Sequence, residues 1–269
     1  MNMDNLLSQS FTGGQRAPEL EDCDRLGWLL ELQPPARAEW RARLQWVRLV
    51  DYLAEEQLLQ GDDTSLAEHF LVPRDPEALG VSWCEAWQRY VVAVHRYLQP
   101  KVIVPDVDAH REMLLELGGN VFCLLPDVDW SVRRAIAHFG ALDQFFTQLN
   151  QLQRDLQQGR CHVPLHVLAS FGLAPQDLVS GSCRGTVRYR EMMRYWLDEY
   201  LPTLRFEAAE FSQLQGLPRG LLLMRDACLQ RHARIERVFR ACDFDFTRAE
   251  AVYWSEVEAS CSVRLAVAS

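Results

Sequence analysis

Two short runs carry side chains whose types and spacing could do chemistry. In the first, Asp51 and Glu55 stand four residues apart with Arg48 one turn earlier, so the three share one side of a helix. Asp51 also falls inside an apolar stripe made by Trp40, Leu44, Val47, Ala54 and Leu58. A carboxylate carried into a low-dielectric core without a partner is strongly penalised, so Asp51 has to be paired, bound to a metal or turned to a wet cavity. Taken alone, Arg48 holds Asp51 and Glu55 faces solvent. In the second run Thr147, Gln151 and Asp155 form a polar line in four-residue steps.

The elements that must position these side chains are helices. Beside the second polar line, Leu142, Phe145, Phe146, Leu149, Leu152 and Leu156 make one apolar face, and Gly159 stops the helix. Ala36–Leu59 reads as another long helix behind Pro34-Pro35, after a helix over 21–33. Further helices are expected at Trp83–Leu98, His110–Leu125, Tyr189–Leu201, Glu207–Leu214 and Arg219–Cys242. In the last of these Leu222, Leu229, Ile235 and Val238 are the expected apolar positions. Gly61–Ser65 reads as a helix cap, Pro73 and Pro76 mark a loop, and Ser180–Thr186 is a Gly/Ser loop without a P-loop pattern. Asp106, Asp108 and His110 have the types to hold a cation, yet their place at a loop-to-helix junction fits capping better. Residues from Cys261 to Ser269 read as a loose tail.

Composition narrows the classes. A protein of 269 residues that is 48% apolar can bury a large core. Its net charge of −9 excludes the basic face that nucleic-acid binding needs. Lys101 is the only lysine, so almost all positive charge is guanidinium. Eight cysteines without a CxxC pair or a zinc-like spacing are expected to be mostly buried thiols. With no secretory leader or membrane-spanning run in view, the expected compartment is the cytoplasm, with room for a peripheral membrane contact.

Helix, Arg154-Asp155, Gly159-Arg160, Pro164 and Phe171-Gly172-Leu173 together resemble the second aspartate-rich region of the squalene/phytoene synthases, NxxRDxxED followed by RGR[VI]Y[LF]P and a Phe-Gly-Leu turn. On that pattern Thr147 takes the Asn position, Asn150 the Arg, Gln151 the first Asp, Arg154 the Glu and Asp155 the last Asp. Only that Asp is kept, and His162 stands where Tyr is usual. The Arg48–Glu56 run is similar to the family's first motif, with Arg48, Val50, Asp51, Glu55 and Glu56 matching and Tyr52 in place of the second Asp. Ser8-Gln9-Ser10-Phe11 resembles the family's SxSF element. Gly118 and Gly119 match a small pair that lets helices approach, without the tyrosines that precede it there.

The resemblance implies an all-α, isoprenoid synthase-type helical bundle, with residues 1–18 as an N-terminal arm and 19–269 as one helical domain. It implies a prenyltransferase chemistry in which Mg2+ holds a farnesyl or geranylgeranyl diphosphate, and two such molecules join head to head inside a dry cavity. Asp51, Glu55 and Asp155 would be the metal ligands of a reduced site. Ser8, Ser10, Phe11 and Arg48 would bind substrate, and Phe145, Phe146 and Phe11 would wall the cavity; no catalytic residue is assigned. With acids lost from both motifs, the alternative is a catalytically inactive family member acting as a binding or assembly protein, similar to the degenerate member that assists assembly of a mitochondrial respiratory complex.

Overall fold

The computed structural model describes residues 18–60, 81–99 and 101–268. Within them the protein forms helices α1 (Pro18–Leu26), α2 (Pro34–Gln60), α3 (Val81–Tyr97), α4 (Val107–Leu114), α5 (Asn120–Cys123), α6 (Arg133–Gln157), α7 (Leu165–Ser170), α8 (Pro175–Val179), α9 (Val187–Tyr195), α10 (Leu201–Glu207), α11 (Ala209–Gln213), α12 (Arg219–Ala241) and α13 (Phe246–Ala268). A 3-10 turn, Gly27–Glu31, extends α1. Two π-helical segments, Leu115–Gly119 and Trp196–Tyr200, join α4 to α5 and α9 to α10. No strand occurs among the described residues, and the all-α class expected from the sequence is borne out. The segment Gly61–Ser65, Pro73 and Pro76 lie outside the described residues.

Helix α6 is the axis of the bundle, packed on α4, α5, α8, α10, α11, α12, α13 and the first π-segment. All six positions of its predicted apolar stripe are buried, each contributing roughly 1.5–3 kcal/mol. Gly118 lets the first π-segment cross α6 closely: a Cβ there would lie 2.2 Å from the Gly140 carbonyl oxygen. Caps behave as the sequence predicts. Asp106 accepts from Ala109 N–H and opens α4, and Asp129 accepts from Ser131 and Val132 ahead of α6.

Three departures have physical causes. Leu222 and Leu229 sit on the rim of α12, because Leu221, Met224, Arg231, His232, Ile235 and Val238 are its buried face. The expected loose tail is helical through Ala268, and Cys261 within it is buried. Cys261 is bonded to Cys23, which ties α13 to α1 across 238 residues of sequence. The remaining six cysteines are thiols; Cys123, Cys161, Cys183 and Cys242 are buried, and Cys84 and Cys228 half-buried.

Candidate functional site

Helix α6 ends in a turn that fixes the geometry around Asp155. Gly159 takes φ +75°, its N–H donates to the Leu156 carbonyl, and Arg160 N–H donates back to the backbone carbonyl of Asp155 at 2.8 Å. This six-to-one closure needs the left-handed residue that glycine supplies at no steric cost. It also returns the Arg160 guanidinium to the Asp155 carboxylate, 3.3 Å from Oδ1. The same arginine donates to the Leu98 carbonyl at 3.3 Å and to the Gln158 carboxamide. His162 faces the other carboxylate oxygen at 3.6 Å through Nδ1, an ion-pair separation beyond hydrogen-bond reach, and its Nε2 meets the Tyr97 carbonyl at 3.2 Å. Asp155, Arg160 and His162 are all buried.

Beside Asp155 lies a cavity of about 30 Å3. That is room for roughly one or two waters. Phe145, Leu149, Leu152 and Trp196 supply apolar wall, and His110 and Gln148 supply polar wall. His110 is fixed between Tyr200 Oη, 2.9 Å from Nδ1, and Gln148 Oε1, 3.2 Å from Nε2. Burial, followed by the charge of His162, lowers the His110 pKa to about 3. The imidazole is therefore neutral at neutral pH. Burial pushes the Tyr200 hydroxyl up, so it stays protonated and donates. The centre of the bundle is otherwise filled with rings: Trp196 stacks on Tyr200 at 4.5 Å, Phe145 packs on Trp196 at 5.8 Å, and Phe146 stacks on His232 at 4.4 Å.

A second charged centre sits on the same helix. Asp143 accepts from Arg231 at 2.5 Å and from His232 Nε2 at 2.7 Å, with all three side chains buried. Burial alone would raise the Asp143 carboxyl, but the Arg231 charge and the His232 hydrogen bond outweigh it and hold it well below the usual carboxylate range. Burial lowers His232 more than Asp143 raises it, so the ring donates through Nε2–H and leaves Nδ1 buried without a hydrogen-bond partner. Arg25 of α1 belongs to this neighbourhood. Burial lowers its pKa first, and the charges of Arg231 and Arg48 lower it further.

The predicted site residues are thus divided. Arg48 lies near enough to Arg25 for its charge to act there, whereas Asp155 is held by Arg160 and His162 at the end of α6. Ser8, Ser10 and Phe11 lie outside the described residues, and of Asp51 and Glu55 the structure describes the helical backbone alone. Phe145 lines the cavity, while Phe146 packs on His232. Asp106 caps α4, Asp108 faces Arg111 at 3.6 Å, and His110 is buried, so these three do not gather around a cation. Sequence reasoning missed Asp143, Arg231, His232 and Gln148. One signal was present: Asp143 precedes Thr147 by four residues and so extends the polar line one turn back.

The second motif does not fit a magnesium site as folded. It offers one carboxylate already facing a guanidinium, whereas Mg2+ requires near-octahedral oxygen donors. Among the described residues no three His, Cys, Asp or Glu side chains gather where they could hold a metal. A larger open groove, about 340 Å3, lies between Glu39, Arg43, Trp83 and Asp127; charged side chains share its lining with Trp83, Leu125, Pro126 and Val128. No helix among the described residues is long and apolar enough to cross a membrane.

No protein-family model matches the sequence, and no curated protein matches it. Among solved structures, YisP from Bacillus subtilis subsp. subtilis strain 168 is similar with a TM-score of 0.57 at 17% identity, over 88% of this chain and 95% of that one. At that identity the likeness establishes a shared fold.

Proposed function

We propose that this chain is a squalene/phytoene synthase-like protein that uses the bundle to bind or assemble and does not condense prenyl diphosphates. One observation carries the reading: the acid that stands at the last Asp of the second motif is paired with Arg160 beside a cavity of about 30 Å3. Head-to-head condensation needs a dry cavity that shields two prenyl groups and a carbocation from water. It also needs metal to neutralise the departing diphosphate. The rings of Phe145, Trp196 and Tyr200 pack on one another, and Phe145 and Trp196 also wall that small cavity.

A second reading, an Mg2+-dependent prenyltransferase, draws on the helical spacing of Arg48, Asp51 and Glu55 along α2. Thermal denaturation with farnesyl or geranylgeranyl diphosphate, with and without millimolar Mg2+, separates the two. The binding or assembly reading expects no stabilisation that depends on the metal. A metal-dependent rise in the midpoint that disappears in Asp155→Asn would transfer the support to the enzyme.

A further inference from the structure

The polar residues that line the cavity beside Asp155 include both a donor and an acceptor. Gln148, only 9% exposed, gives its carbonyl oxygen to His110, and its Nε2 is buried without a hydrogen-bond partner. The direction of the bonds follows from the neutral imidazole: Tyr200 O–H donates to His110 Nδ1, and His110 Nε2–H donates to Gln148 Oε1. The relay therefore ends on the two amide N–H groups of Gln148, a residue that lines the cavity. Asp155, whose carboxylate is an acceptor, also lines the cavity.

We propose that this cavity is a built hydration site, in which roughly one or two water molecules accept from Gln148 Nε2 and donate to the Asp155 carboxylate. Water both accepts and donates, and it matches the volume. A cation would meet the positive ends of the amide N–H dipoles and the Arg160 guanidinium. An apolar ligand would leave the carboxamide unsatisfied and does not fit about 30 Å3. In this arrangement Asp155 is an acceptor that joins the second π-segment, through Tyr200 and His110, to the turn that ends α6. The inference deepens the binding or assembly reading by giving Asp155 work other than holding metal, and it is read out by hydration, whatever a turnover assay returns.

The test is water–protein cross-relaxation by NMR on the full-length protein. Cross-peaks between a long-lived water and the Gln148 carboxamide protons are expected in the unmodified protein. They should persist in Asp155→Asn, whose amide oxygen still accepts, and vanish in Asp155→Leu. Gln148→Met should leave no such water at the Asp155 end. Should either apolar variant fail to fold, a high-resolution crystal structure of the unmodified protein decides, with density expected within hydrogen-bond distance of Gln148 Nε2. A dry cavity, or magnesium in place of water at millimolar concentration, would overturn the proposal.

Discussion

Helix α6 carries two buried carboxylates, Asp143 and Asp155, each 8% exposed, and the protein treats them differently. Asp143 is met at 2.5 Å by Arg231 and at 2.7 Å by His232, with rings packed against the imidazole. Asp155 is met at 3.3 Å by Arg160 and lies against a small cavity. Equal burial therefore does not mean equal commitment. A close pair deep in the bundle is a structural joint, because removing one member strands the other in low dielectric. A longer pair at a helix end, beside space for water, is a softer contact whose loss is partly absorbed.

The largest expected effect follows from breaking the tight end. Asp143→Ala leaves Arg231 buried without its acid and should lower stability by about 3–5 kcal/mol in urea denaturation; a loss near that of Asp155→Asn would erase the contrast. Next is the bond that fastens α1, and with it Arg25, beside the same centre. Reducing Cys23–Cys261 should cost about 2–4 kcal/mol, read as a lower thermal midpoint in dithiothreitol; Cys23→Ser should start at the lowered midpoint and show no further fall with the reductant.

The relay linked to the soft end supplies a pH signature. His110 titrates near pH 6.5 in the unfolded protein and at about 3 in the folded one. The contribution is complete above pH 6.5; on acidification the unfolded protein takes the proton first, so stability falls between those values. His110→Gln should flatten that slope by about 1.4 kcal/mol per pH unit in denaturation at pH 6 and pH 5. An unchanged slope would place His110 outside the neutral, buried relay. Asp155→Asn should have the smallest effect, about 1 kcal/mol, since the amide still accepts from Arg160.

Much of the fold was legible because local rules agree with it. The α6 stripe, the stop at Gly159, the Asp106 cap and the Gly118 crossing each follow from a few neighbouring residues. What was not legible depends on partners far away in sequence. Leu222 and Leu229 looked like the inner face of α12 because periodicity assigns leucine inward; Arg231 and His232 point in instead because Asp143, on another helix, satisfies them. The Cys23–Cys261 pairing and the helical C-terminal segment are invisible for the same reason. Asp155 was legible as the acid of the polar line, but sequence spacing carries no information on its burial or on the guanidinium that Gly159 folds back onto it.

The most direct test of the central claim is turnover itself. Purified protein is incubated with farnesyl diphosphate and millimolar Mg2+, and pyrophosphate release is followed alongside extraction of hydrocarbon product. The bundle, as packed around Asp155 and its ring stack, predicts neither. Stoichiometric pyrophosphate with a coupled prenyl product, abolished in Asp155→Asn, would contradict the account and establish a working synthase.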